Sequence, residues 1–168
     1  IGNTARELLT LVNNMLDRAR IAIGELDLTT DRVDLAEVVG SARAAVEPMA
    51  HARRMPIVED VAEGIGSVVA DRLKVRQILV NLLMYAVKTA RDGQIRIEAR
   101  SRGDCVIVTV SRSGTALSPD RIPNLDEDRD RKARGLGGGD GVDLGLSVSK
   151  RLAEMLGGDL DVTSVPGV

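Results

Sequence analysis

Aromatic side chains are almost missing from this sequence: 168 residues include one Tyr, no Phe and no Trp. The interior must therefore be filled by Leu, Ile, Val, Ala and Met, and a hydrophobic content of 43% is ample for that. Cysteine is nearly absent too. Cys105 alone excludes an internal disulfide and a cysteine-rich zinc site. Its place in a strand-like run predicts a buried packing role. The single histidine, His51 in MAHARRMPI, is read as solvated or packing and is assigned no chemistry. No apolar run approaches the roughly 18 residues of a membrane span, and no signal peptide is present, so no membrane contact is expected from this chain. Neither sign of charge dominates. With 23 basic and 25 acidic residues the net charge is −2, which provides no global field for nucleic acid.

What the sequence does have is a strong central helix, Asp71 to Ala90. Val75, Ile78, Leu79, Leu82, Leu83, Ala86 and Ala90 recur at helical spacing and form a core-facing stripe. Asp71 is placed to cap it, its carboxylate accepting from the first free N–H groups. Asn81, Tyr85 and Lys88 fall on a second face at i, i+4 and i+7. That face is either partly solvated or the floor of a ligand site.

The remaining chain divides around this helix. Residues 1 to about 28 carry a heptad seam: Ile1, Ala5, Leu8, Val12, Met15, Ala19, Ala22 and Leu26. Leu9, Leu16 and Ile23 form a second stripe, so the helix must bury two sides, as in a four-helix bundle. That implies self-association. A second helix is expected over Val33 to Arg53, stopped by Pro56. Short strands are expected at Pro56 to Val61 and Gly66 to Ala70, then a hairpin of Gln94–Ser101 and Asp104–Ser111 joined at Arg102-Gly103. Ile95, Ile97 and Ala99 should point inward. Residues 113 to 142 read as a glycine-rich, mixed-charge loop. Leu144 to Leu156 reads as a helix closed by Gly157-Gly158, and Asp159 to Ser164 as a strand. The fold class is α+β: an α/β sandwich of one mixed sheet with helices on one face, preceded by a long N-terminal helix.

NLLMYAVKTA, residues 81 to 90, resembles the N-box of sensor histidine kinases, whose ATP-binding domain shares a fold with gyrase and Hsp-type chaperones. The resemblance covers about residues 8 to 167. It implies a dimerisation helix over residues 1–30 and an ATP-binding-type domain over 31–168. It also implies a phospho-accepting histidine on a helix that this chain lacks, and a further strand after the point where the chain stops at Val168. Either the sequence is a fragment or a sheet edge is left open.

In that family an N-box Asn supplies an oxygen to Mg2+, a glycine-box Asp accepts from the adenine amino group, and a second glycine box cradles phosphate. This sequence departs at each position. Tyr85 stands where the metal-binding Asn belongs. VSRSGTALS, residues 110 to 118, puts Arg112 in the place of the Asp, and Arg has only donors. GVDLGL, residues 141 to 146, has Asp143 for the middle Gly; a carboxylate there repels phosphate and suits an N-cap. Asn81, Lys88, Gly114, Gly141 and Gly145 still match. These eight are the vestigial nucleotide-site positions; no catalytic residue and no metal ligand is assigned. Arg112 is expected to pair with Asp140 or Asp143 across the vacated site.

The resemblance thus implies a degenerate domain of two-component signalling, a pseudokinase that needs no cofactor. Its expected partners are a second copy through the N-terminal helix, another kinase, a phosphotransfer protein or a response regulator, in the cytoplasm. Two alternatives stand beside it. One is a working kinase domain that uses ATP and Mg2+ to phosphorylate a histidine outside this chain. The other is a phosphotransfer-type adaptor that docks a response regulator.

Overall fold

A computed structural model of the chain describes residues 2–90, 92–114, 125 and 141–164. These residues belong to two compact units. A helical unit holds α1 (Gly2–Ile23) and α4 (Gly141–Met155). A strand-bearing unit runs from β1 (Asp31–Asp34) through α2 (Leu35–Ala52), β2 (Ile57–Val61), β3 (Ser67–Ala70), α3 (Arg72–Thr89) and β4 (Ile95–Arg102) to β5 (Cys105–Arg112).

Alternation along β4 sets the layers of the strand-bearing unit. Ile95, Ile97 and Ala99 are completely buried, while Arg96 between them and Arg100 after them are exposed. The mixed sheet they centre has the order β2-β4-β5, with β2 parallel and β5 antiparallel to β4. Its packed face meets α2 and α3, which also pack on each other. Leu35, Val38, Val39, Ala42 and Val46 from α2 and Leu79, Leu83, Ala86 and Val87 from α3 fill the interior. The core is aliphatic throughout, as the aromatic-poor composition requires. This is the expected α+β arrangement, helices on one face of a mixed sheet. The other face is charged: Arg100 bonds to the Asp60 carboxylate, holding that carboxyl below its usual range, with Arg96 and Glu98 alongside.

Several expectations are corrected. Val33 belongs to a strand, not to the second helix. It is buried and pairs with Val68 in a separate two-stranded ladder of β1 and β3. Asp34 then caps α2 by accepting from the Glu37 N–H. Pro56 does not stop α2. The chain has already turned at Arg54, whose φ of 57° is left-handed; the Arg54 N–H bonds to the His51 carbonyl and the Met55 N–H to the Ala50 carbonyl. Cys105 is exposed, not buried. Val106, Val108 and Val110 take the inward positions of β5, so period-two geometry turns Cys105 outward with Ile107 and Thr109.

In the helical unit, α1 ends at Gly24 (φ +72°), several residues before the expected end. It packs on α4. Among its residues with described side chains, the buried ones are polar, Asn14 and Asp17. Its apolar stripes face outward: Leu8, Leu9, Val12, Met15, Leu16 and Ile23 are 50% to 65% exposed. On α4, Leu146, Val148, Leu152 and Ala153 are buried, and Gly157 (φ +79°) with Gly158 closes the helix as expected. Asp159 to Ser164 forms no strand. Lys150 holds this segment instead, bonding to the Asp159 carboxylate and to the Leu160 carbonyl, an acceptor that a ladder would otherwise use. No helix among the described residues is long and apolar enough to cross a membrane.

Asp71 ties the strand-bearing unit together. It is buried; its Oδ1 accepts from the Leu73 and Lys74 N–H groups at 3.0 and 3.1 Å, and its Oδ2 from the Thr29 N–H at 3.0 Å. One side chain thus starts α3 and anchors the segment leading into β1. Asp71→Ala should lower stability to urea by about 1–2 kcal/mol, and Asp71→Asn by less, because a carboxamide oxygen still accepts. Equal loss in both variants would show that one accepting oxygen is not enough and that both are needed.

Candidate functional site

The candidate site starts from α3, because Asp71 fixes where that helix begins. Ten residues on, Asn81 is buried and has polar partners. The face it shares with Tyr85 and Lys88 is therefore not simply solvated, although those two are half-buried. The last turn of the helix has partners for the Tyr85, Ala86, Val87 and Lys88 carbonyls. Thr89 Oγ1 donates to the Tyr85 carbonyl at 2.8 Å, the Ala90 N–H to the Ala86 carbonyl, and Arg53 Nη1 to the Val87 and Lys88 carbonyls at 3.0 and 3.2 Å. Arg53 was not singled out in the sequence, since nothing in MAHARRMPI shows that one arginine reaches another helix.

Arg112 ends β5. Its register partner is Ile95, so it sits on the packed face of the sheet, half-buried. Among the described residues its guanidinium makes no ion pair. The two residues after it close the open end of the hairpin. Ser113 N–H donates to the Gln94 carbonyl and Gln94 N–H to Ser113 Oγ, both at 2.9 Å. Here the backbones are very close. A Cβ on Gly93 (φ +93°) would lie 2.4 Å from the Ser113 carbonyl oxygen, and one on Gly114 (φ +115°) 2.6 Å from Asp92 Oδ1. Asp92 and Gly93 were read only as a turn. Glycine at a turn and glycine in a glycine box gave no sign that the two face each other.

The remaining positions lie on α4. The helix begins at Gly141, so Asp143 is its third residue and not its N-cap. Gly145 is buried, and its carbonyl accepts from Ser149 Oγ at 2.7 Å. The expected pairing of Arg112 with Asp140 or Asp143 lies outside the described residues.

Residues 70–168 match the family model for the histidine kinase-, DNA gyrase B-, and HSP90-like ATPases. The chain belongs to that family. Within it, the histidine-kinase type is the one the relatives share. A sensor-like histidine kinase of Rhizobium meliloti is 31% identical over 99% of this chain, which spans 32% of that relative's length. Full-length ShkA, solved in complex with AMPPNP, superposes with a TM-score of 0.72 at 27% identity, over 92% of this chain and 32% of ShkA. ThkA, solved in complex with the response regulator TrrA, shares the fold with a TM-score of 0.63 at 21% identity, over 94% of this chain and 43% of ThkA. This histidine-kinase-type ATPase domain thus covers about a third of the length of the first of these relatives.

The glycine contact can be tested directly. Gly93→Ala should destabilise by roughly 2–3 kcal/mol and Gly114→Ala by somewhat less, from strain at left-handed φ plus the clash. Adding Asp92→Ala should recover part of the Gly114→Ala loss and none of the Gly93→Ala loss, whose clash is with backbone. A double-mutant cycle in urea reads the difference.

Proposed function

We propose that this is a degenerate ATPase-type domain of two-component signalling that works through protein contacts and not by phosphoryl transfer. The observation that carries the reading is the chemistry at three separate positions. Tyr85 offers a phenol where Mg2+ needs a hard oxygen ligand. Arg112 brings only donors to the packed face of the sheet. Asp143 places a carboxylate in the first turn of α4, where phosphate would need an uncharged backbone cradle. These residues do not fit Mg-ATP, so no step is drawn through it.

The outward apolar face of α1 supports the second half of the reading. Two stripes of Leu, Val, Met and Ile on one helix face belong against another helix, and their heptad spacing fits a second copy of the same helix. A response regulator is the further partner class, supported by the complex of ThkA with TrrA. A working kinase is the second reading, favoured by the likeness to sensor kinases and to ShkA with AMPPNP bound.

Calorimetry with ATP and Mg2+ separates the two. Our reading expects no metal-dependent binding in the micromolar range; such binding would establish the working kinase instead. Restoring the three roles together, as Tyr85→Asn, Arg112→Asp and Asp143→Gly, should create metal-dependent binding where the original chain has none. Dimerisation is tested by sedimentation: Leu9→Glu with Leu16→Glu should weaken self-association on the order of a hundredfold, as expected when charges enter an apolar seam. An unchanged dimer would move the interface off α1.

A further inference from the structure

Four arginines of the strand-bearing unit meet acids, Arg43 with Glu47 and Glu59, Arg72 with Glu37, Arg96 and Arg100 with Asp60, and Arg32 and Arg76 bond to the Ser67 and Ser41 hydroxyls. One end of the unit is different. The C-terminus of α2, the C-terminus of α3 and the end of β5 converge there. Arg53 reaches the Val87 and Lys88 carbonyls, the Ile95 N–H bonds to the Pro56 carbonyl, and Gln94 and Ser113 bond to each other. This gathers His51, Arg53, Arg54, Lys88 and Arg112, with Asp92 as the acid at the same end. Among the described residues, none of these three arginines has a carboxylate partner.

Arg54 supplies an independent sign. Three helices of this chain end in the same motif, with a left-handed residue just past the terminus. At α1 that residue is Gly24 and at α4 it is Gly157. At α2 it is Arg54, the one positive-φ residue other than glycine among the described residues. A Cβ is strained in this conformation and glycine is not. The fold asks for glycine at this position and holds an exposed, charged side chain, which points to a role for the charge.

We infer that this end of the unit, with Arg54 at its centre, is a docking surface for an acidic protein partner, one that presents clustered Asp and Glu side chains. Planar guanidinium groups match carboxylates in bidentate pairs. His51, Arg53 and Arg54 are exposed and not enclosed, which suits a protein surface better than a small ligand. The inference deepens the reading of a domain that acts through protein contacts and rests on it.

The test titrates the isotope-labelled full chain with a short polyglutamate peptide, followed by amide shifts, with inorganic tripolyphosphate in a parallel arm. The expected footprint covers residues 51–55, 87–90, 92–94 and 112–114, weakens with salt, and leaves the distant Arg32 and Arg102 unmoved. Arg54→Gly should keep or raise the melting temperature, since it relieves strain, yet weaken peptide binding by roughly two- to fivefold. A footprint spread over all arginines, an Arg54→Gly affinity equal to that of the original chain, or the same footprint from tripolyphosphate alone would each overturn the inference. Metal-dependent ATP binding would remove the underlying reading while leaving the peptide shifts at residues 51–55 and the effect of Arg54→Gly in place, so the two failures are distinguishable.

Discussion

The start of α3 is decided by a buried carboxylate, and most of the strand-bearing unit depends on that decision. Asp71 satisfies two of the helix's free N–H groups and the Thr29 N–H at once. The helix axis and its rotation are therefore fixed at one end. Rotation matters because α3 is asked to do two things. Leu79, Leu83, Ala86 and Val87 must meet the sheet, while Asn81, Tyr85 and Lys88 must stand on a different side. Without aromatic side chains to span gaps, the aliphatic core tolerates little rotation before voids open. The far end of the helix is held just as firmly, by Arg53 and Thr89 on its last carbonyls.

A second constraint acts at the open end of the hairpin. The Gly93 and Gly114 segments approach so closely that neither position has room for a Cβ. This contact holds the turn after α3 against the residue pair that follows β5. Arg112 immediately precedes it, so its guanidinium emerges from a braced backbone and not from a loose strand end. The same bracing brings the α2 and α3 termini alongside, and the cationic end of the unit follows from these two constraints together.

Much of this was legible in the sequence because it is written in local periodicity. The cap at Asp71, the inward set Ile95, Ile97 and Ala99, the hairpin turn at Gly103 and the Gly157-Gly158 closure each depend on residues a few positions apart. What was misread depended on distant partners or on phase. Val33 looked helical because it precedes a helical stripe, but its pairing with Val68 lies thirty-five positions away. Cys105 is on the strand that was expected, but one position out of phase with the valines. Asp159 to Ser164 had the composition of a strand but forms none; Lys150 took the Leu160 carbonyl. At the candidate site, residue identity could be read directly, whereas the approach of Asp92 to Gly114 is a long-range fact with no signature of its own.

The pattern of matches and departures in the N-box and glycine boxes has a physical logic. Positions that still match a nucleotide site also have structural work independent of any ligand. Asn81 is buried with polar partners. Gly114 leaves room for Asp92, where a Cβ would clash. Among the departures, Arg112 has no ion-pair partner among the described residues, whereas Tyr85 is half-buried and has a partner. A site kept for a nucleotide would hold its ligand-facing groups at least as firmly as its scaffold. Asn81 and Gly114 are matching positions that burial and a close backbone approach constrain without any ligand. Three departures in separate motifs support the protein-contact reading more strongly than any one substitution, because a single replacement can be compensated nearby.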